Sequence, residues 1–234
     1  PDRSRQSGTA AQQPCRDAIT ALGSSTSLPK WVREEVNRTT PKERREPALR
    51  LLAGASEAYA EERFDAAYRL LVEAKGLAPQ AATIRELLGL SAYHVDRFGD
   101  SLRELRTYRR LAGDTTHMAV EMDCLRALDR PSDVHKAWRL FTELGGSPSA
   151  ESEARVVYGS FLLDQGKLRD AWQVVRPGRL VADPEPGDVR RWFVAARVAA
   201  AGGDMATAGK LRDAARRADP DLPGLSDLDG LIGS

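Results

Sequence analysis

Apolar residues along this chain recur three and four positions apart, in helix-length runs separated by short stretches rich in Gly, Pro and charge. That spacing puts them on one face of an α-helix, whereas a strand would need alternation. The runs themselves repeat. Phe64-Asp65-Ala66-Ala67-Tyr68-Arg69-Leu70-Leu71, ending at Pro79, has a counterpart in Phe98-Gly99-Asp100-Ser101-Leu102-Arg103-Glu104-Leu105, ending at Gly113. Val134 to Phe141 ends near Ser149, Leu168 to Val175 ends at Asp183-Pro184, and Met205 to Leu211 ends at Pro220. The small residue in each run is Ala67, Ser101, Ala137, Ala171 and Ala208, at spacings of 34, 36, 34 and 37. A recurrence of that length is the mark of stacked supersecondary units.

A further helical run precedes each of these, usually with its own small residue: Ala55, Gly89, Gly159 and Ala196. Two antiparallel helices approach closely only where small side chains meet at the crossing. The pattern therefore predicts helix hairpins that cross at Ala55/Ala67, Gly89/Ser101, Gly159/Ala171 and Ala196/Ala208. Residues 1–13 carry almost nothing apolar and are expected to stay extended or disordered. Residues 14–47 are expected to form an N-terminal helical cap. Within it, one short helix falls around Cys15–Leu22 and another over Lys30–Val36, the latter with Trp31, Val32 and Val36 on its apolar face. Thr40-Pro41 and Glu46-Pro47 both read as helix starts, because proline suits a first turn.

These residues resemble the tetratricopeptide repeat, whose unit runs W-x2-L-G-x2-Y, then A-x3-F, then P. Leu88-Gly89 reproduces the central pair, with Tyr93 one place after the expected aromatic. Ala137 and Phe141 keep the second signature, Ala67–Pro79 and Ala208–Pro220 the third, and Trp192 stands at the tryptophan position of the fifth unit. The resemblance, to repeat proteins of bacterial (actinobacterial) type, implies an all-α, right-handed α-solenoid of five units: 48–81, 82–115, 118–151, 152–185 and 189–222. Four departures are visible. Leu125 replaces a small residue beside Cys124, and Pro131 is expected to lengthen the turn before the next helix. Pro177-Gly178 should end a second helix early. Arg212 occupies a bulky apolar site, leaving the packing to Leu211. Leu225, Leu228 and Ile232 predict a short capping helix within 223–234.

Composition narrows the function. With 35 basic and 34 acidic residues the net charge is +1, without the one-sided field of a general nucleic-acid or membrane-surface binder. Arg-rich, Lys-poor usage fits a GC-rich bacterial genome. Cys15 and Cys124 form no metal-spaced pair, and no span or signal pattern appears, so a cytoplasmic location is expected. His94, His117 and His135 sit singly and are expected as partly exposed surface residues rather than ligands. Glu34-Glu35 and Glu61-Glu62 read as solvated charges, and Asp227-Leu228-Asp229-Gly230 as a turn rather than a calcium loop. The acidic tail, Asp219, Asp221, Asp227 and Asp229, lacks nearby cations in sequence after Arg217. No catalytic grouping, metal site or cofactor motif stands out.

The resemblance also implies where a partner would lie. First helices of such units line a concave face, and carrying the phase over selects Tyr59, Glu86, Tyr93, His94, Arg126, Arg130, Arg190, Phe193 and Arg197. Ser56, Leu90, Met122, Ser160 and Leu163 share that phase. Tyr93, Arg126 and Arg197 are the preferred contacts, since aromatic and Arg side chains anchor interfaces. The alternative for Tyr59 and Tyr93 is packing between units. The carboxylate clamp of chaperone-binding arrays is absent, because the single asparagine, Asn37, lies outside the repeats. The expected partner is another protein, held as a peptide or helix without cofactor or small-molecule substrate, by a monomer or weak homo-oligomer. The alternative is RNA or a ribosome, met through Arg97, Arg103, Arg106, Arg109 and Arg110.

Overall fold

The structure, a computed structural model, describes residues 28–232. Twelve helices and no strand occur among these residues: α1 Lys30–Thr39, α2 Lys42–Ala60, α3 Phe64–Leu77, α4 Ala82–His94, α5 Phe98–Ala112, α6 Met118–Ala127, α7 Pro131–Leu144, α8 Pro148–Asp164, α9 Leu168–Val175, α10 Pro186–Ala201, α11 Met205–Ala218 and α12 Leu225–Ile232. The expected helix over Cys15–Leu22 lies outside the described residues. Contacts divide the chain into two compact units, an N-terminal one within Gln12–Asp133 and a C-terminal one within Val134–Ser234.

Helix pairing follows the small residues. Ala55, Ala67, Ser101, Ala171, Ala196 and Ala208 are all fully buried. At Gly89 an added Cβ would lie 2.6 Å from Leu105 Cγ, and at Gly159 it would overlap a Val175 methyl. Glycine is required at both by close approach, not by backbone angle. Cys124 takes the small place missing from its helix: its thiol donates to Ser101 Oγ at 3.3 Å, and burial pushes its pKa up to about 12. Leu125 is buried beside it.

Five turns join first to second helices, and all are built alike. Each has three residues, with the middle one in the left-handed region: Glu62 (φ 59°), Asp96 (59°), Asp129 (52°), Gly166 (69°) and Gly203 (81°). The next N–H reaches back to the helix: Arg63 to Ala58 O, Arg97 to Ala92 O, Arg130 to Leu125 O, Lys167 to Leu162 O and Asp204 to Ala199 O, all at 2.8–2.9 Å. These are Schellman closures, which satisfy carbonyls that a helix end would otherwise leave open. Pro131 does not lengthen its turn, contrary to expectation. It stands at the first position of α7, where its missing N–H costs nothing.

Several other readings need correction. Pro47 does not start a helix, since α2 runs through it from Lys42. The apolar face formed by Ala48, Leu52 and Ala55 holds that helix in one piece. Asp227–Gly230 is helical, inside α12, whose Leu225 and Leu228 are buried while Ile232 packs towards Ala199, Ala200 and Ala208. The acidic tail is partly compensated: Asp229 meets Arg216 at 2.5 Å and Arg212 at 3.4 Å. That salt link also explains Arg212, whose neighbour Leu211 is the buried one. As the sequence predicts, α9 stops at Val175, two residues before Pro177.

Candidate partner-binding face

In the N-terminal unit the first helices are α2, α4 and α6. Their turn ends carry an aromatic ladder with the period of the repeat. Tyr59 meets Phe64 edge-on at 5.0 Å, and His94 stacks on Phe64 at 3.9 Å with an 8° tilt. Tyr93 meets His94 at 6.0 Å and Phe98 at 5.9 Å, both edge-on. Tyr59/Phe64 and Tyr93/Phe98 are the same pair one unit apart. Tyr59 and Tyr93 are both buried, and the Tyr93 hydroxyl donates to Asp123, which also accepts from Arg126 at 2.7 Å. Tyr93 is therefore an internal strut and not the surface anchor expected of it. The physical reason is that a ring at this position fills the step between adjacent units.

Glu86 is likewise engaged, its carboxylate 2.6 Å from His117 Nε2. His117 is buried, against expectation, while His94 stacks in the ladder and stays half-exposed. His135, in the C-terminal unit, lies 2.8 Å from the Tyr158 hydroxyl, and Trp138 stacks on that tyrosine at 4.6 Å. Burial, with Lys167 and Arg139 nearby, lowers the His135 pKa and favours neutral imidazole. Glu35 is not a free charge either. Its carboxylate accepts from Ala82 N–H and the Thr83 hydroxyl, both at 2.5 Å, and so caps the start of α4.

The arginine face of α5 is met by carboxylates. Glu104, fully buried, receives Lys75 (3.0 Å), Arg85 (2.5 Å) and Arg103 (3.1 Å). Burial pushes its carboxyl up, but hydrogen bonds and charge from Arg85 and Lys75 outweigh this and hold it below the usual range. Glu121 receives Arg109 at 2.9 Å and Arg106 at 3.5 Å. Arg97 lies over the Tyr68 ring, 4.7 Å from its centre. Of the five cations offered for a phosphate stripe, Arg97, Arg103, Arg106 and Arg109 each meet a carboxylate, the first three with side chains still partly exposed.

In the C-terminal unit the first helices are α8 and α10. Arg190 is buried and bound to Glu153, whose second oxygen has no hydrogen-bond partner and whose pKa burial raises. Arg190 is thus no surface contact. Phe193 and Arg197 are half-exposed one turn apart, with the Arg197 guanidinium 6.0 Å from the Phe193 ring centre. Ser160 and Leu163 on α8 are half-exposed too. Arg130, exposed at the α6–α7 turn, pairs with Asp133. Among the expected contacts, Arg130 is exposed and Glu86, His94, Arg126, Phe193 and Arg197 are half-exposed.

No group of three or more His, Cys, Asp or Glu suited to a metal occurs among the described residues, and no described helix is long and apolar enough to cross a membrane. Helix hairpins crossing on small residues and closed by identical turns define a helical-repeat fold of the tetratricopeptide type. No protein-family model and no curated protein matches the sequence. Among solved structures the chain is similar to YrrB, described as a tetratricopeptide-repeat protein with an unusual peptide-binding site. The TM-score is 0.54 at 18% identity, covering 81% of this chain and 95% of that one.

Proposed function

We propose that this protein is a non-catalytic adapter that binds a peptide or helical segment of another protein on the first-helix faces of its repeats. The half-exposed strip of Phe193 and Arg197 on α10, flanked in α8 by Ser160 and Leu163, carries this reading. It joins an apolar ring to a cation that pairs with no carboxylate among the described residues, the combination that anchors interfaces. The peptide-binding site described for YrrB supports the same class of partner. Arg126 and Arg130 are the equivalent candidates in the N-terminal unit. A cytoplasmic location and a monomeric or weakly self-associating state belong to the same proposal. Affinity capture from the source cell, comparing the native chain with Arg130→Glu/Arg197→Glu, tests it. Both sites are at the surface, so the variant keeps its fold and should lose most of the captured protein. Equal recovery, or retention of RNA that collapses steeply with salt, would overturn it.

A further inference from the structure

Arginines on the first helices mostly have an internal task. Arg85 on α4 holds Glu104, Arg126 on α6 holds Asp123, Arg155 on α8 holds Glu151, and Arg190 on α10 holds Glu153. Arg191 spends its donors on the Val175 and Arg176 carbonyls. Arg197, also on α10 and half-exposed, differs. Among the described residues it pairs with no carboxylate, and it lies 6.0 Å from the Phe193 ring centre. That is the outer reach of cation–ring attraction, and a guanidinium over a ring keeps its in-plane N–H groups available to an acceptor.

The surroundings make the pair a strip with sides. Gly224, just before α12, comes so close that an added Cβ would lie 2.9 Å from Phe193 Cζ. At the far end of α12, Ile232 packs towards Ala199 and Ala200. α12 therefore runs alongside α10 from Phe193 to its last turn, in the place of a further first helix. α8 packs on α10 without packing on α12, so the strip lies between the two, with Ser160 and Leu163 half-exposed on the α8 side. Of the two acids on α12, Asp229 turns to Arg212 and Arg216 of α11, and Asp227 is exposed.

We infer that the partner segment held on this strip is acidic: its carboxylate pairs with Arg197 while a neighbouring apolar side chain packs on Phe193. The inference rests on the adapter reading and adds the chemistry of the partner. Phe193 and Arg197 are one helical turn apart, about 6 Å along the axis. A carboxylate and an apolar residue at i and i+4 of a helix match that step, and so do i and i+2 of an extended strand, at about 6.7 Å. Forked, charge-assisted hydrogen bonds favour a carboxylate on arginine over a neutral amide or hydroxyl. One guanidinium suits one carboxylate, whereas a phosphorylated segment calls for an arginine cluster.

The test presents a random peptide library to the full chain and sequences the binders. Those that weaken on Phe193→Ala report on the strip. They are expected to carry Asp or Glu two or four positions from a large apolar residue. Each should bind Arg197→Glu about ten-fold or more weakly than the native chain. Changing the peptide's acid to Lys should reverse that order, a gain of binding that a misfolded variant would not give. Phe193-dependent binders without an enriched acid overturn the inference and leave the adapter reading standing. Equal affinity for both chains, or a loss that the Lys exchange does not reverse, does the same. A library without any Phe193-dependent binder removes the strip as a docking site, and the inference with it.

Discussion

The two units are built from the same hairpin but finish it differently. In the N-terminal unit, two buried acids meet several cations each: Glu104 has Lys75, Arg85 and Arg103, and Glu121 has Arg106 and Arg109. In the C-terminal unit, Glu153 has Arg190 and an oxygen with no hydrogen-bond partner. In the N-terminal unit second helices run their full length, α3 over Phe64–Leu77 and α5 over Phe98–Ala112, while α9 stops after Leu168–Val175. Arg155 and Arg191 then cover the carbonyls it leaves, Arg155 on Val174 O at 3.1 Å and Arg191 on Val175 O at 2.9 Å. Leu87–Tyr93 of α4 are all buried, but α10 keeps a half-exposed strip. The lesson is that one repeat chemistry yields a charge-braced unit and a looser one with an open face.

The largest way to break this contrast is to empty the brace. Glu104→Ala leaves Lys75 and Arg85 partly buried without their carboxylate. The cost expected is about 3–5 kcal/mol, the range for removing one partner of a buried pair. Glu153→Gln also takes the counter-charge from buried Arg190, but it keeps the shape and one acceptor and strands one cation instead of two, so it should cost less. Urea denaturation of both variants settles the order. A Glu153→Gln loss matching that of Glu104→Ala would show that the two acids do equal work.

The crossing glycines sharpen the comparison at a smaller scale. A Cβ at Gly89 would press on the Leu105 side chain at 2.6 Å and its backbone nitrogen at 3.2 Å, in the middle of a full-length helix. At Gly159 it would press only on Val175 and Val174 side chains, at the end of eight-residue α9. Overpacking costs about 1–3 kcal/mol, and Gly→Ala in a helix returns up to about 1 kcal/mol in propensity. Gly89→Ala should therefore destabilise by about 1–2 kcal/mol, and Gly159→Ala by less, because the short helix can shift. Melting curves that place Gly159→Ala below Gly89→Ala would contradict the view of α9 as the yielding element.

Acid should separate the units further. Glu104 and Asp100 have lowered pKa values, Asp100 chiefly through its hydrogen bond from Tyr68. Their stabilisation is complete above the unfolded carboxylate range, near 4, and is lost as pH falls through the depressed folded values. Glu153 is raised by burial, so the folded state holds its proton more tightly. It contributes a gain as pH falls from neutral towards about 4.3. Amide exchange at pH 7, 5 and 3, corrected for intrinsic rates, should show α8 protection holding or rising to pH 5 and α5 protection dropping below pH 4.

Much of the architecture was legible because it rests on local rules. The positions of Ala67, Gly89, Ala171 and Ala208 follow from how closely helices cross, and the early end of α9 from Pro177. The functional face was less legible, because phase tells which way a side chain points and not what meets it there. Tyr93 points as expected, but Asp123 lies one unit away and captures its hydroxyl. The Arg stripe is real in sequence, but Glu121, on the next helix, and Glu104, turned inward to meet Lys75 and Arg85 from two other helices, take up much of it. For Glu121, an acid inside an apolar run was the available signal. Glu35 shows the same limit, since its role depends on a contact 47 residues away.

The turns offer the finest test. Every hairpin closes through one residue in the left-handed region, yet the N-terminal unit places Glu62, Asp96 and Asp129 there, while the C-terminal unit uses Gly166 and Gly203. A Cβ in that conformation costs about 1 kcal/mol, somewhat less for Asp, which visits it more readily. The braced unit thus carries a small strain that its packing tolerates, and the looser one avoids it. Asp96→Gly should raise stability by about 0.5 kcal/mol, because relief of strain exceeds the added freedom of the unfolded chain. Gly166→Ala should lower it by about 1 kcal/mol. Both are surface changes at the same turn position, so chemical denaturation of the pair isolates the backbone term. Loss of stability in Asp96→Gly would mean that the carboxylate makes a contribution there which outweighs its strained angle.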